Sequence, residues 1–132
     1  DIDMNSIVCT DLEDEGTNKK LVGHLKSDDF FGVKAHPTGK FVATSFTPIE
    51  GAEGREPNYK IAGTLTLKGI SHEIEFESFI AMKGSGMVSN GSAEFDRSKY
   101  DIRYGSGSFF DDLGDKTIYD DVALTFVLSA KK

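Results

Sequence analysis

An all-β fold, an antiparallel meander carrying one short helix, is predicted by three features of this 132-residue sequence. Apolar and polar residues alternate with period two over residues 59–68, 73–82 and 122–128, the spacing that puts one face of a strand inside and the other in water. The dipeptide Lys68-Gly69 separates the first two runs and reads as a tight turn, Gly supplying a positive φ at little steric cost. Only one stretch, about residues 18–27, places apolar residues at helical spacing. A single helix on an otherwise stranded chain suits a barrel or sandwich with a plugged end.

Taken in order, the chain opens with a strand over residues 2–9, already under way at Asp1 with no initiator Met and no leader. The expectation is that processing removed a leader or that the amino end is missing here. In the helix, Leu21, Val22 and Leu25 form one stripe and Thr17 or Asn18 supplies the cap. Gly23 weakens it by about 1 kcal/mol relative to Ala, and Phe30 and Phe31 anchor its end. A strand follows at residues 41–47, then a loop rich in Gly, Glu and Pro at 49–58. In the central hairpin Ile61 and Leu65 share a face, with Lys60, Thr64 and Thr66 opposite. On the return strand Ile74, Phe76, Ile80 and Met82 point inward while Glu73, Glu75 and Glu77 face water. Phe79 breaks that phase, indicating a bulge or an aromatic covering the outer surface. Residues 87–95 form another strand interrupted or bounded by the turn signal Ser89-Asn-Gly-Ser92, with 102–104 as an extension, a loop at 105–107 and a closing strand at 118–128. There Val122, Leu124, Phe126 and Leu128 share a face.

Composition narrows the function classes. Apolar residues make up 38% and charged residues 28%, which supports one globular domain over residues 1–132. A net charge of −7 and a pI near 4.9 oppose phosphate backbones and anionic headgroups, which argues against nucleic acid and against membrane-surface docking. No apolar run approaches the roughly 20 residues that insertion across a bilayer needs. Ten Phe and four Tyr supply aromatic bulk for a core or a lipid cavity. Cys9 is the only cysteine, so no internal disulfide forms, and it reads as a buried, inert thiol.

Catalytic and metal constellations are not visible. His24, His36 and His72 fall on a helix, a loop and a strand without ligand spacing. The acidic runs at 111–115, 120–121 and 11–15 do not follow the calcium-loop ladder and read as solvated turns. Gly105-Ser-Gly-Ser108 lacks the strand-to-helix setting of a nucleophile elbow or a phosphate loop. No enzyme activity, metal or cofactor is therefore expected. Asn90-Gly-Ser92 matches a glycosylation sequon but reads as a plain turn. Arg97 ends an apolar strand, where a buried guanidinium needs Asp or Tyr partners. A salt bridge closing one end of the fold is the structural reading, and a donor to a lipid head group the functional one.

Three segments together resemble the YceI-like family. They are Asp3-Met-Asn-Ser-Ile7 leading to Leu25-Lys-Ser-Asp-Asp-Phe-Phe31, then Gly63-Thr-Leu-Thr-Leu-Lys-Gly-Ile-Ser-His-Glu-Ile74, and Phe95-Asp-Arg-Ser-Lys-Tyr-Asp-Ile102 with Leu113-Gly-Asp-Lys-Thr-Ile-Tyr-Asp-Asp-Val122. The resemblance implies a lipocalin-like antiparallel β-barrel of about eight strands, with the short helix near the barrel end. It implies non-enzymatic binding of an isoprenoid or other long-chain lipid, for sequestration or transport, in a periplasmic or secreted setting. The lining residues expected are Ile61, Leu65, Ile74, Phe76, Ile80, Phe95, Leu124 and Phe126, with Arg97 toward the head group. About six strands are legible, so the family's leading hairpin is expected to be missing from the sequence. The exposed sheet edges would then be covered by further residues or by a second copy in a homodimer. The alternative is a stress-related or interaction barrel with a packed core and no stable ligand.

Overall fold

A computed structural model describes residues 1–131. Six strands lie in one sheet in sequence order: β1 (Ile2–Asp3), β2 (Thr38–Pro48), β3 (Tyr59–Leu67), β4 (Ile70–Lys83), β5 (Gly86–Asp96) and β6 (Asp121–Lys131). One helix, α1 (Glu15–Lys26), stands between β1 and β2. The all-β class with a single short helix is thus as the alternation predicts. Two compact units divide the chain, the first comprising Asp1–Phe41, Leu65–His72 and Asp96–Asp120, the second Val42–Thr64, Glu73–Phe95 and Asp121–Lys132.

In the first unit the amino-terminal strand is much shorter than residues 2–9. After Asp3 the Asp3 carboxylate accepts the Asn5 N–H at 2.9 Å and the chain coils into a 3-10 turn at Met4–Ser6. A local side-chain bond has outcompeted the strand ladder. The helix begins a turn earlier than its apolar stripe indicates. Asp14, not Thr17 or Asn18, is the cap, its carboxylate accepting the Thr17 N–H at 2.8 Å and the Thr17 hydroxyl at 2.5 Å. None of its residues is fully buried, so packing at its end holds it. There Phe30 and Val33 are buried and Lys26 Nζ donates to the Asn5 carbonyl at 2.8 Å. Lys68 and Gly69 both take positive φ, 50° and 75°, the geometry of a two-residue type I′ hairpin. Lys68 offsets that unfavourable backbone by donating to the Asp101 carbonyl at 3.0 Å.

The organising contact of this unit is Arg97, 3% exposed. Its Nε donates to Tyr119 O at 2.9 Å, Nη1 to Ile102 O at 3.0 Å and Tyr104 O at 2.9 Å, and Nη2 to Ile118 O at 3.0 Å. Asp120 Oδ1 lies 3.4 Å from Nη2, an ion pair that makes no hydrogen bond of its own at that oxygen. The Arg97 backbone N–H donates to Asp120 O at 2.8 Å. Residues 102–104 are consequently not a strand. Their carbonyls turn toward the guanidinium, and Ile102 becomes fully buried. The closing strand likewise starts at Asp121 rather than at residue 118, because the carbonyls of Ile118 and Tyr119 are taken by Arg97.

In the second unit, β4 and β5 pair antiparallel with Glu77 opposite Ser92 and Lys83 opposite Gly86. Ser89-Asn-Gly-Ser92 is therefore strand interior, and the turn sits at residues 84–85, where Gly84 takes φ 63°. Asn90 pairs with Phe79 in this ladder, which corrects the reading of Asn90–Ser92 as a turn. The register is unbroken across Phe79, so no bulge occurs there and Phe79 stands on the face of Glu73, Glu75 and Glu77. Asn58 closes the unit by taking both backbone groups of Ile80 on its side-chain amide, donating to Ile80 O at 2.9 Å and accepting from Ile80 N at 2.8 Å.

Replacing Arg97 by Ala strands four carbonyls and the Asp120 carboxylate, and should destabilise the protein by about 3–5 kcal/mol. Arg97→Lys should recover only a small part, since an ammonium cannot address four carbonyls in a planar fork. Urea titrations of both variants followed by far-ultraviolet circular dichroism measure this, and a wild-type midpoint for Arg97→Lys would refute it. The hydroxyls of Ser106 and Ser108, then the Arg97 charge, hold the Asp120 carboxyl below its usual value of 3.8. A lowered folded-state pKa gives stability that is complete above the unfolded value and is lost as pH falls through the folded one. The stability gap between wild type and Asp120→Asn should therefore be constant near neutrality and shrink below about pH 4, as denaturation midpoints between pH 7 and pH 3 will show.

Candidate functional site

Alternation along β3 buries Ile61, Gly63, Leu65 and Leu67 on one face while Lys60 stays in water. The same parity along β4 sets Ile74, Phe76, Ser78 and Ile80 together, and Phe126 and Leu124 share parity on β6. Of the nine residues expected to line a ligand, Ile61, Ile74, Phe76, Ile80, Phe95, Leu124 and Phe126 belong to the second unit, and Leu65 and Arg97 to the first.

Within the second unit these residues grade from closed to open. Ile61 is 5% exposed and Phe95 is buried, whereas Ile74, Phe76, Ile80 and Phe126 are half-buried and Leu124 is 41% exposed. Phe76 and Phe126 meet edge to face, with ring centroids 5.3 Å apart and planes at 74°, the arrangement the ring quadrupoles favour. Gly91 makes room for them. A Cβ there would lie 3.0 Å from Phe126 Cζ and 2.8 Å from Glu77 O, so no larger residue lets the ring approach the sheet so closely.

One polar pair interrupts this apolar face. Ser78 and Ser89 are buried with their hydroxyl oxygens 2.8 Å apart, and Ser78 also donates to Asn90 O at 2.9 Å. Ser89 donating to Ser78 and Ser78 to the carbonyl uses both hydrogens, so the pair is satisfied without water. Sequence reasoning passed over these serines, yet their parity with Phe76 and Ile80 was the available signal. It also passed over Gly91, whose neighbours are set by the ladder and by β6.

The opposite face of β4 is charged. Lys60 Nζ binds Glu75 at 2.7 Å, and that hydrogen bond, then the charge of Glu75, raises the Lys60 pKa. A polar cleft of about 520 Å³ is lined by Arg55, Pro57, Glu77, Asn90, Ser92 and Thr125.

Arg97 belongs to the first unit, where its side chain donates to four backbone carbonyls and lies 3.4 Å from Asp120 Oδ1, so it holds the backbone there. The histidines are dispersed. His24 stacks edge-on against Phe30 and Tyr104 and sits 3.3 Å from Asp29, while His72 Nε2 lies 2.9 Å from Lys99 O and His36 approaches Gly69. Among the described residues no three His, Cys, Asp or Glu side chains gather as metal ligands. Cys9 is half-buried, with Sγ 3.0 Å from Asp11 Oδ1, so the buried thiol expected from the sequence is partly open. What the second unit offers chemically is a graded apolar surface.

Comparison with known proteins agrees with this architecture. The structure of BcnA from Burkholderia cenocepacia superposes with a TM-score of 0.67 at 25% identity, covering 86% of this chain and 65% of that one. The YCEI protein of Campylobacter jejuni superposes with a TM-score of 0.65 at 21% identity, covering 87% of this chain and 64% of that one. The chain thus spans slightly under two-thirds of the length of these structures. No curated protein matches it. No helix among the described residues is long and apolar enough to cross a membrane. The YceI-like domain model matches residues 1–130, nearly end to end, and the chain accordingly belongs to the YceI-like family.

Proposed function

We propose that this protein is a non-enzymatic binder of a long apolar tail, an isoprenoid or similar lipid, for sequestration or transport in a periplasmic or secreted setting. The observation that carries the reading is the face bearing Phe76 and Phe126. It is apolar and aromatic, and Leu124 and Leu128 on the same strand face of β6 are 41% and 49% exposed, so apolar area is available on it. Within the second unit, buried Ile61 and Phe95 are the closed end of this gradation, and Ile74, Phe76, Ile80, Leu124 and Phe126 are the surfaces offered to the tail; Leu65, in the first unit, is likewise buried.

Affinity in such a site comes from apolar area removed from water, about 0.8 kcal/mol for each buried methylene, and needs few polar contacts. Ser78 and Ser89 spend their hydrogens on each other and on the backbone, so they do not impose a directional demand on the tail. Family membership supports the reading, and so does the apolar character of this face. The tight burial of Ile61, Leu65 and Phe95 favours a second reading, a packed interaction module without a stable ligand.

Fluorescence titration with isoprenoid analogues of increasing length separates the two. Under the proposal each added methylene tightens binding by up to about fourfold until the face is covered, with little dependence on salt because few charges are engaged. Leu124→Asp, at an exposed position that should tolerate the change in the fold, should weaken binding at least about tenfold by placing an unpaired carboxylate on the apolar face. Affinity flat in length and steep in salt would refute the proposal. Failure of every analogue to bind, with no lipid released on extraction and native mass spectrometry, would favour the packed module.

A further inference from the structure

Gly91 stands in the middle of β5, opposite Ser78 of β4, on the face that carries Phe76 and Phe126. A glycine inside a strand costs backbone entropy and packs nothing, so it marks either an unusual φ or a close approach. The first cause does not apply, since Gly91 does not take positive φ. Space is the cause. A Cβ on Gly91 would lie 2.8 Å from Glu77 O, 3.0 Å from Phe126 Cζ and 3.1 Å from Ser78 Cβ.

Those three neighbours differ in how they can yield. Glu77 O and Ser78 Cβ belong to the β4 ladder and move only with it. Phe126 Cζ is the tip of a half-buried ring, which swings about its own side-chain bonds. The β5 backbone lies beneath that tip, and Phe76 stands edge to face against the ring with centroids 5.3 Å apart. A side chain at position 91 therefore lifts the ring away from the sheet, into the space above the apolar face. The bare backbone at Gly91 sets how deep that face is over Phe126.

Depth over an aromatic floor discriminates tails by their cross-section. A straight chain needs only the width of its methylenes, whereas each methyl branch adds a group on the flank that must find room. A raised ring excludes branch methyls before it excludes the chain, and each methyl kept out of contact forfeits about fourfold in affinity.

We infer that Gly91 is a specificity-determining residue: acting through Phe126, it keeps the apolar face deep enough for a methyl-branched tail. It is a positioning residue and does not itself touch the tail. The inference rests on the tail-binding reading above and adds to it the residue that selects tail shape.

Fluorescence titration of the whole chain with a straight-chain alkanol and with its regularly methyl-branched analogue of equal backbone length tests it. Circular dichroism confirms that each variant is folded. The readout is the ratio of branched to straight affinity, which a general loss of stability does not move. Gly91→Ala should lower that ratio at least about fourfold. It also presses on Glu77 O, so its denaturation midpoint should fall independently of the ratio. Phe126→Leu removes the ring tip, and in that background Gly91→Ala should leave the ratio unchanged while the loss of stability persists. Should Gly91→Ala not fold, Phe126→Trp fills the same space with Gly91 intact and should lower the ratio in its place. A wild-type ratio in the variant that folds, or an equal fall with and without the Phe126 ring, would overturn this inference alone. Wild-type protein that binds neither alkanol would overturn the tail-binding reading, and this inference with it.

Discussion

A guanidinium withdrawn from water must satisfy five N–H donors and one positive charge, and Arg97 meets that requirement almost entirely with the backbone. Four carbonyls, from Ile102, Tyr104, Ile118 and Tyr119, converge on it at 2.9–3.0 Å, and Asp120 supplies the countercharge. Each of these carbonyls sits in a connection and not in a ladder. Without the guanidinium, the buried ends of two loops would hold unpaired acceptors, a cost comparable to several lost hydrogen bonds. The long irregular stretch from residue 97 to residue 120 is tolerable in a compact unit because this one side chain replaces the strand partner it lacks. Phe30, its ring centroid 5.8 Å from the guanidinium carbon, brings the segment after the helix into the same contact.

The second unit solves the complementary problem of keeping a sheet face apolar without making it inert. Alternation puts Phe76 and Phe126 on that face, and Gly91 lets one ring lie close to the backbone. The Ser78–Ser89 pair shows how two hydroxyls can occupy such a face at low cost, since each hydrogen already has an acceptor. Charge is confined to the other face, where Lys60 and Glu75 pair in water and contribute more to solubility than to stability. The sheet is thus apolar and aromatic on one face and charged on the other.

What the sequence determined by itself was much of what depends on local periodicity. The period-two runs located β3, β4 and β6, their parity set Ile61 on the buried side of β3 and put Phe76 and Phe126 where their rings meet, and Lys68-Gly69 announced its turn, because side-chain direction in a strand repeats every two residues whatever lies beyond it. Met82, inward by the same parity, is instead 71% exposed near the end of β4. Tertiary structure decided the rest. Ser89-Asn-Gly-Ser92 has the composition of a turn yet runs through the middle of β5, since pairing with β4 outweighed its weak local preference. Residues 4–6 left the strand because Asp3 offered a closer acceptor than any neighbour. The helix start moved to Asp14 because a cap is set by a carboxylate reaching an N–H, and not by where the apolar stripe begins. The role of Arg97 was legible only as a choice between a structural lock and a head-group donor. Its four carbonyl partners lie from five to 22 residues away, and only the folded chain brings them to one point.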